Sequence, residues 1–358
     1  MKAKATTVGL KELTEGSVPF STLEKAFGES SLGILVVNNL PARYLELRER
    51  LLSYSSYLAQ LPAADLDALT DAASHYEIGW SHGKEALKDG QYDTMKGSYY
   101  VDCQSFFLEN PVVPEPGKPV TRGAGTNLWP AESAMPGFRA TFEELCRMLI
   151  NIGVLVARAI DSYATKNIPH YQHGYLEHVV KTSHTPKARL LHYFPPTEAP
   201  PSPSPSPVES SNTSDSEDDS WCATHLDDGC LTALTSALYI DESSPLPPLT
   251  AGSFPSLPIL PASPDPKAGL YIRSRGDKVV KVDIPADCIA FQTGEALQMI
   301  TDGRFKAVPH FVRGPCGAGK VARNTLALFM QPDIDEIIDK EKGITYGQFV
   351  EMIVQKHS

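Results

Sequence analysis

The sequence predicts an α+β chain whose core is mainly β, with helices ahead of that core and one helix behind it. Three observations carry this expectation. Residues 138–165 form a long amphipathic stretch in which Phe142, Leu145, Leu149, Ile152 and Val156 recur on one helical face. From Gly269 to Met330 short β-prone runs recur between turn signals at Arg275-Gly276-Asp277, Pro285-Ala286-Asp287, Asp302-Gly303 and Gly314–Gly319. Strands spaced by about 8–12 residues read as an antiparallel sandwich or barrel. Two Pro-rich tracts, 197–220 and 243–267, interrupt the β region, and the first is too polar and acidic to fold by itself.

The remaining elements follow in order. LGILVVN (32–38) is a short apolar, β-branched run and reads as a buried strand. Residues 42–59 place Tyr44, Leu45, Leu47, Leu51 and Leu52 at helical spacing. Residues 75–130, rich in Gly, Tyr and Pro, read as long loops with short strands. ARLLHYFPP (188–196) is a strand ended by two prolines, and residues 221–240 resume strand-like character. VARNTLALFM (321–330) fits a short helix or a strand, and a polar helix is expected over about 333–355. The division predicted is a helical and mixed region over 1–187, a β core over 188–332 with surface insertions at 197–220 and 243–267, and a C-terminal helix within 333–358.

Composition narrows the function. The chain has 358 residues, 42% of them apolar, enough for a full core. A net charge of −11 and a pI near 5.4 speak against a nucleic-acid partner. Six of the acids sit in 197–220, which holds no Lys or Arg. Six cysteines occur with no C-x-x-C pair, a pattern of reduced thiols in a cytosolic-type compartment. The start, MKAKATTVGLKELTEGSVPF, has no apolar core of a secretory signal, and no run reaches the ~18 apolar residues of a membrane span. A cytoplasmic protein is expected, with an organelle address left open.

Gly314-Pro315-Cys316-Gly317-Ala318-Gly319-Lys320 matches the spacing of a phosphate-binding loop. Such a loop needs Ser or Thr after the Lys, a buried strand before it and a helix starting at it. Here Val321 follows the Lys, and the preceding KAVPHFV contains Pro309. The segment therefore reads as a Gly-rich hairpin loop.

The chemistry centres on His225-Leu226-Asp227. On a strand, residues i and i+2 project from one face, so an imidazole and a carboxylate can hold one metal ion. An H-x-D triplet alone arises by chance in about half of such chains, so its context decides. His310, on a later strand, completes two His and one carboxylate, the ligand set of non-haem Fe(II) oxygenases. Thirteen residues on, Arg323 and Thr325 share a face if the segment is a strand. A guanidinium beside a hydroxyl suits the far carboxyl group of a dicarboxylate. Tyr193, upstream, offers a phenol hydrogen bond.

Taken in order, LLHYFPP, THLDDGCLTAL, GEALQMITDGRFKAVPHFV and ARNTLALFMQP resemble the 2-oxoglutarate/Fe(II)-dependent oxygenases, in the branch that includes isopenicillin N synthase and the plant soluble oxygenases. The likeness covers residues 188–332, and LGILVVNNLP (32–41) is similar to the family's N-terminal segment. GWSHGKEALKDGQYDTMKGSYYVD (79–102) is similar to a little-characterised plant and algal subgroup. The resemblance implies a distorted double-stranded β-helix, a jelly-roll with N-terminal helices. It implies Fe(II) on His225, Asp227 and His310, and 2-oxoglutarate as co-substrate on Arg323 and Thr325 with Tyr193. Oxygen would react at the iron as 2-oxoglutarate loses CO₂ to give succinate, and a small-molecule substrate would be oxidised. Thr325 stands at the usual Ser, His192 at the usual Asn and Phe194 at the usual second Tyr, which leaves co-substrate contacts on that strand open. The two insertions lengthen loops beside the core strands at little free-energy cost.

Other features carry weaker readings. His170, His173 and His178, with Glu177, fit no zinc spacing and are expected near the pocket mouth. Ser214 and Ser216 lie in an acidic tract suited to an acid-directed kinase. Two alternatives stand beside the oxygenase: an Fe(II) oxidase of the same fold that does not use 2-oxoglutarate, and a non-catalytic protein whose Pro/Ser-rich insertions contact other proteins.

Overall fold

A computed structural model describes residues 2–84, 94–111, 125–196, 221–274, 278–315 and 319–357. The insertion 197–220 with Ser214 and Ser216, the turn at 275–277, and Cys316, Gly317 and Ala318 lie outside the described residues.

Strands β1 (Lys2–Ala3) and β2 (Thr6–Gly9) open the chain, followed by helices α1 (Leu10–Thr14) and α2 (Phe20–Phe27). Then come β3 (Ile34–Asn38), α3 (Ala42–Ala59), α4 (Ala63–Ala68), β4 (Gly79–His82), β5 (Lys96–Asp102) and α5 (Gln104–Phe107). The long α6 (Phe138–Asn167) and the short α7 (Tyr175–Thr182) precede β6 (Lys187–Tyr193), β7 (Cys222–His225), β8 (Leu231–Thr235), β9 (Leu238–Asp241) and β10 (Ile259–Leu260). The last stretch is β11 (Gly269–Arg273), β12 (Val279–Val282), β13 (Ile289–Thr293), α8 (Glu295–Ile300), β14 (His310–Arg313), β15 (Val321–Met330), β16 (Ile337–Asp339), β17 (Ile344–Thr345) and α9 (Tyr346–His357). Helices α2, α3 and α4 each begin directly after a proline, Pro19, Pro41 and Pro62, whose backbone is extended. A proline lacks the N–H that would continue a ladder and holds φ near −65°, so it marks the start.

The described strands form two main sheets and a separate two-stranded pair, β16-β17. One main sheet runs β1-β12-β11-β14-β7; the larger runs β2-β3-β13-β8-β15-β6-β5-β4, with β9 paired to β15 and to β10. The large sheet has two unlike faces, and the alternation along each strand explains them. Leu326, Leu328 and Met330 of β15, with Ala188 and Leu190 of β6, join the apolar cluster that includes Leu51 and Leu58 of α3 and Leu145, Leu149 and Val156 of α6. Their neighbours Leu191, Tyr193 and Ala327 face the other way, and pack with Val312 of the small sheet and with Trp221. Helices therefore cover one face of the large sheet, and the small sheet covers the other. The molecule is a mixed helix-and-sheet structure built on a large multi-strand sheet. Strands from before residue 188 take part in both sheets. No described helix is long and apolar enough to cross a membrane.

The expected strand at 32–38 and the helices over 42–59 and 138–165 are present. Of the two forms that fit 321–330, the strand is the one present, paired with three others. Other expectations need correction. β14 and β15 do not pair as a hairpin: β14 lies in the small sheet and β15 in the large one. With a strand after Lys320, the helix N-terminus that a phosphate loop requires is missing. Residues 295–300 are helical inside the β region; Glu, Ala, Leu, Gln and Met are good helix formers. The segment 333–345 forms the β16–β17 pair, and the last helix begins at Tyr346. Its start is set by a reciprocal cap: Gln348 N donates to Thr345 Oγ1 (3.3 Å), and Thr345 N donates to Gln348 Oε1 (3.0 Å). The tract 243–267 is more than a surface insertion. Phe254 meets Tyr54 edge-to-face at 4.8 Å, Leu257 is buried, and β10 pairs with β9.

Candidate metal centre

His225 ends β7, so Asp227 lies just beyond the strand and not on it. What places Asp227 is the start of α8. Glu295 N donates to Asp227 O (2.8 Å), Ala296 N to Asp228 O (3.0 Å) and Gly294 N to Cys230 O (3.1 Å). A Cβ at Gly294 would stand 2.2 Å from Gly229 O, so only glycine permits this approach. His310 opens β14 directly opposite His225 in the β7–β14 register.

The three side chains converge. Asp227 Oδ1 is 3.8 Å from His225 Nε2 and 3.8 Å from His310 Nε2. One ligand atom from each residue lies within 4.8 Å of the other two, a group able to hold a single metal ion. His225 Nδ1 lies 2.8 Å from Ala223 O and donates to it, which makes Nε2 the nitrogen that offers a lone pair when the ring is neutral. Asp227 and His310 are buried, and Asp227 Oδ2 has no hydrogen-bond partner among the described residues. A buried, half-satisfied carboxylate is costly unless a cation completes it.

The two imidazoles titrate in opposite directions. Burial, reinforced by the charge on His225, pulls His310 down to about 4 against the attraction of Asp227. For His225 burial also opposes the charge, but Cys222, whose Sγ is 3.9 Å from Nδ1, and Asp227 outweigh it and hold His225 above its ordinary value.

A second group stands in the same cavity, which has a volume of about 640 Å³. Arg323 and Thr325 share the inner face of β15, and Tyr193 is the cross-strand partner of Arg323 on β6. The Arg323 guanidinium lies 4.8 Å above the Tyr193 ring, whose own centroid is 5.1 Å from that of Trp221 at a tilt of 31°. Arg323 is 6% exposed, and its Nε and Nη1 have no hydrogen-bond partner among the described residues. Thr325 Oγ1 reaches Thr235 O only at 3.4 Å. Asn324 faces the helices: its Nδ2 donates to Ser56 Oγ (2.8 Å), and its Oδ1 is 2.8 Å from His192 Nδ1. His192 therefore points away from the cavity. Leu234, Leu270 and the Ile259–Pro261 stretch give the cavity apolar walls.

Sequence reasoning missed several residues in and behind the cavity wall. Gln292 of β13 touches His310, Cys222 touches His225, and the second Pro-rich tract supplies a wall. None stands in a motif of its own. The cluster of His170, His173 and His178 does not converge, Glu177 pairs with Arg158 at 2.7 Å, and none of the four lines the cavity.

No protein-family model and no curated protein matches the chain. Solved structures do. A candidate 2OG-Fe(II) oxygenase family protein from Caulobacter crescentus is 17% identical, with a TM-score of 0.66 and 100% of both chains covered. Full-length Neurospora crassa T7H in complex with alpha-KG is 17% identical, with a TM-score of 0.63, covering 98% of this chain and 95% of that one. JOX2 in complex with 2OG, Fe and JA is 13% identical, with a TM-score of 0.59, covering 99% and 86%. At these identities the likeness is one of fold, and the fold this chain shares is that of 2OG-Fe(II) oxygenases.

Proposed function

We propose that the chain is a non-haem Fe(II) oxygenase that couples decarboxylation of 2-oxoglutarate to oxidation of a small-molecule substrate. Its core, 188–332, is read as a distorted double-stranded β-helix, completed by the earlier strands and followed by the C-terminal helix. The motif order favours the isopenicillin N synthase-like, plant- and algal-type branch, and six scattered cysteines with no C-x-x-C pair favour a cytoplasmic setting.

The observation that carries the reading is Arg323. A buried guanidinium with two nitrogens unpartnered among the described residues shares a cavity with a His–Asp–His group whose carboxylate is buried and half-satisfied. One site asks for a cation and the other for an anion, and a metal-chelating dicarboxylate answers both.

In this reading His225, Asp227 and His310 hold Fe(II); two neutral imidazoles and one carboxylate are the ligand set that suits it. Arg323 binds the far carboxylate of 2-oxoglutarate with its fork, and Thr325 and Tyr193 offer hydroxyl donors beside it. The Tyr193 ring beneath the guanidinium fixes its plane. Bound Fe(II) supplies the position at which O₂ is reduced while 2-oxoglutarate is converted to succinate and CO₂. The apolar walls exclude water around the reacting groups. The test is O₂ uptake and succinate formation by the purified chain with Fe(II) and 2-oxoglutarate. Activity that Asp227→Ala abolishes supports the reading; no 2-oxoglutarate-dependent turnover in an iron-loaded wild type contradicts it.

A further inference from the structure

Gln292 is fully buried on β13, the strand of the large sheet that lies behind His310. Its Nε2 is 2.6 Å from His310 Nδ1, while its Oε1 has no hydrogen-bond partner among the described residues. The carbonyl of Val308 is a more distant neighbour of the same Nδ1, at 3.3 Å. A half-turn of the primary amide exchanges its oxygen and nitrogen without changing its shape. In one orientation the amide N–H donates to Nδ1, which forces the imidazole proton onto Nε2, the atom that faces Asp227. In the other, the amide oxygen accepts the Nδ1–H and leaves the Nε2 lone pair directed at Asp227 and His225. Only the second serves a metal ligand; it gives the oxygen a partner and moves the amide N–H₂ to the side where the described residues offer none.

We propose that Gln292 is a positioning residue: its amide oxygen accepts the Nδ1–H of His310 and so sets Nε2 as the metal-facing nitrogen. The proposal rests on the reading of His225, Asp227 and His310 as a metal site. It makes the two histidines alike, each donating through Nδ1 to an oxygen, His225 to Ala223 O and His310 to Gln292 Oε1. The oxygen differs in kind, because a backbone carbonyl cannot be mutated away and the amide of Gln292 can.

The test is Co(II) binding to the metal-free full chain by equilibrium dialysis, comparing wild type, Gln292→Met and Gln292→Glu. Met keeps the length and removes the acceptor, whereas Glu keeps an acceptor. The expected result is a roughly 10- to 100-fold weaker affinity for Gln292→Met and an affinity for Gln292→Glu within a few-fold of wild type. A purely packing role predicts no such split, so equal affinity of Gln292→Met and wild type overturns the proposal while leaving the metal site intact. No Co(II) binding by folded wild type overturns the metal site itself. A second measurement needs no variant to fold: long-range 1H–15N spectra of the metal-free wild type. A proton on Nδ1 of His310 is expected, and a proton on Nε2 overturns the assignment.

Discussion

His225 and His310 face each other directly across the β7–β14 ladder, ring centroids 4.2 Å apart, with Asp227 Oδ1 3.8 Å from the Nε2 of each. Because the carboxylate supplies the group's only formal negative charge, its removal is expected to hurt most. Asp227→Ala should weaken Fe(II) binding by more than the roughly 10- to 100-fold typical of losing a group that merely orients a ligand. Anaerobic equilibrium dialysis measures this. Asp227→Asn should do nearly as badly, since it keeps the shape and loses the charge.

Arg323 is predicted to matter for the co-substrate and not for the metal. Arg323→Gln should leave Fe(II) affinity within a few-fold of wild type. Removing one partner of a buried charge pair costs about 2–5 kcal/mol, so 2-oxoglutarate affinity should fall by roughly 30-fold or more. Calorimetric titration of the metal-loaded protein separates the two effects.

His192 makes stability depend on pH. Burial, against the bond to Asn324, pulls its folded value down to about 4, while the unfolded chain titrates near the ordinary ~6.5. Below about pH 6.5 the unfolded chain takes a proton that the folded chain refuses. This residue therefore lowers stability as pH falls from about 6.5 to 4, by an amount on the order of 3 kcal/mol, and has no effect above that window. Thermal midpoints of wild type and His192→Asn across pH 4–8 should converge in slope above about 6.5, with the variant losing less stability below it.

Leu326 shares β15 with Arg323 but points into the helix layer, where it is fully buried. Leu326→Ala should destabilise the fold by about 2–5 kcal/mol. At temperatures where the variant remains folded, its Fe(II) stoichiometry should be that of the wild type. Denaturant unfolding alongside metal analysis checks both.

The site was more legible than the frame around it. His225, Asp227, His310, Arg323, Thr325 and Tyr193 stand in short motifs, and all six line one cavity. The strand argument for His225 and Asp227 rested on the wrong geometry: the two converge, but Asp227 is placed by the amides of α8 and not by β7. Gln292 escaped because AFQTG carries no pattern; its role exists only once β13 lies behind β14. The helix at 295–300 and the late start of the last helix escaped for different reasons. Six residues are too few to show helical periodicity, and the Thr345–Gln348 cap signal was outweighed by the polar run before it. The 243–267 tract read as surface because its prolines obscure the apolar Phe254 and Leu257 between them. β1 and β2 were missed because their partners are far away in sequence, and pairing with β12 and β3 is what defines them.

The most direct measurement is the visible charge-transfer absorption that 2-oxoglutarate develops on chelating Fe(II) without oxygen, recorded for wild type, His225→Ala and Arg323→Ala. The account predicts a band in the wild type, none in His225→Ala, and a band in Arg323→Ala that needs far more 2-oxoglutarate to appear. An iron-loaded wild type with no band at any 2-oxoglutarate concentration would contradict it.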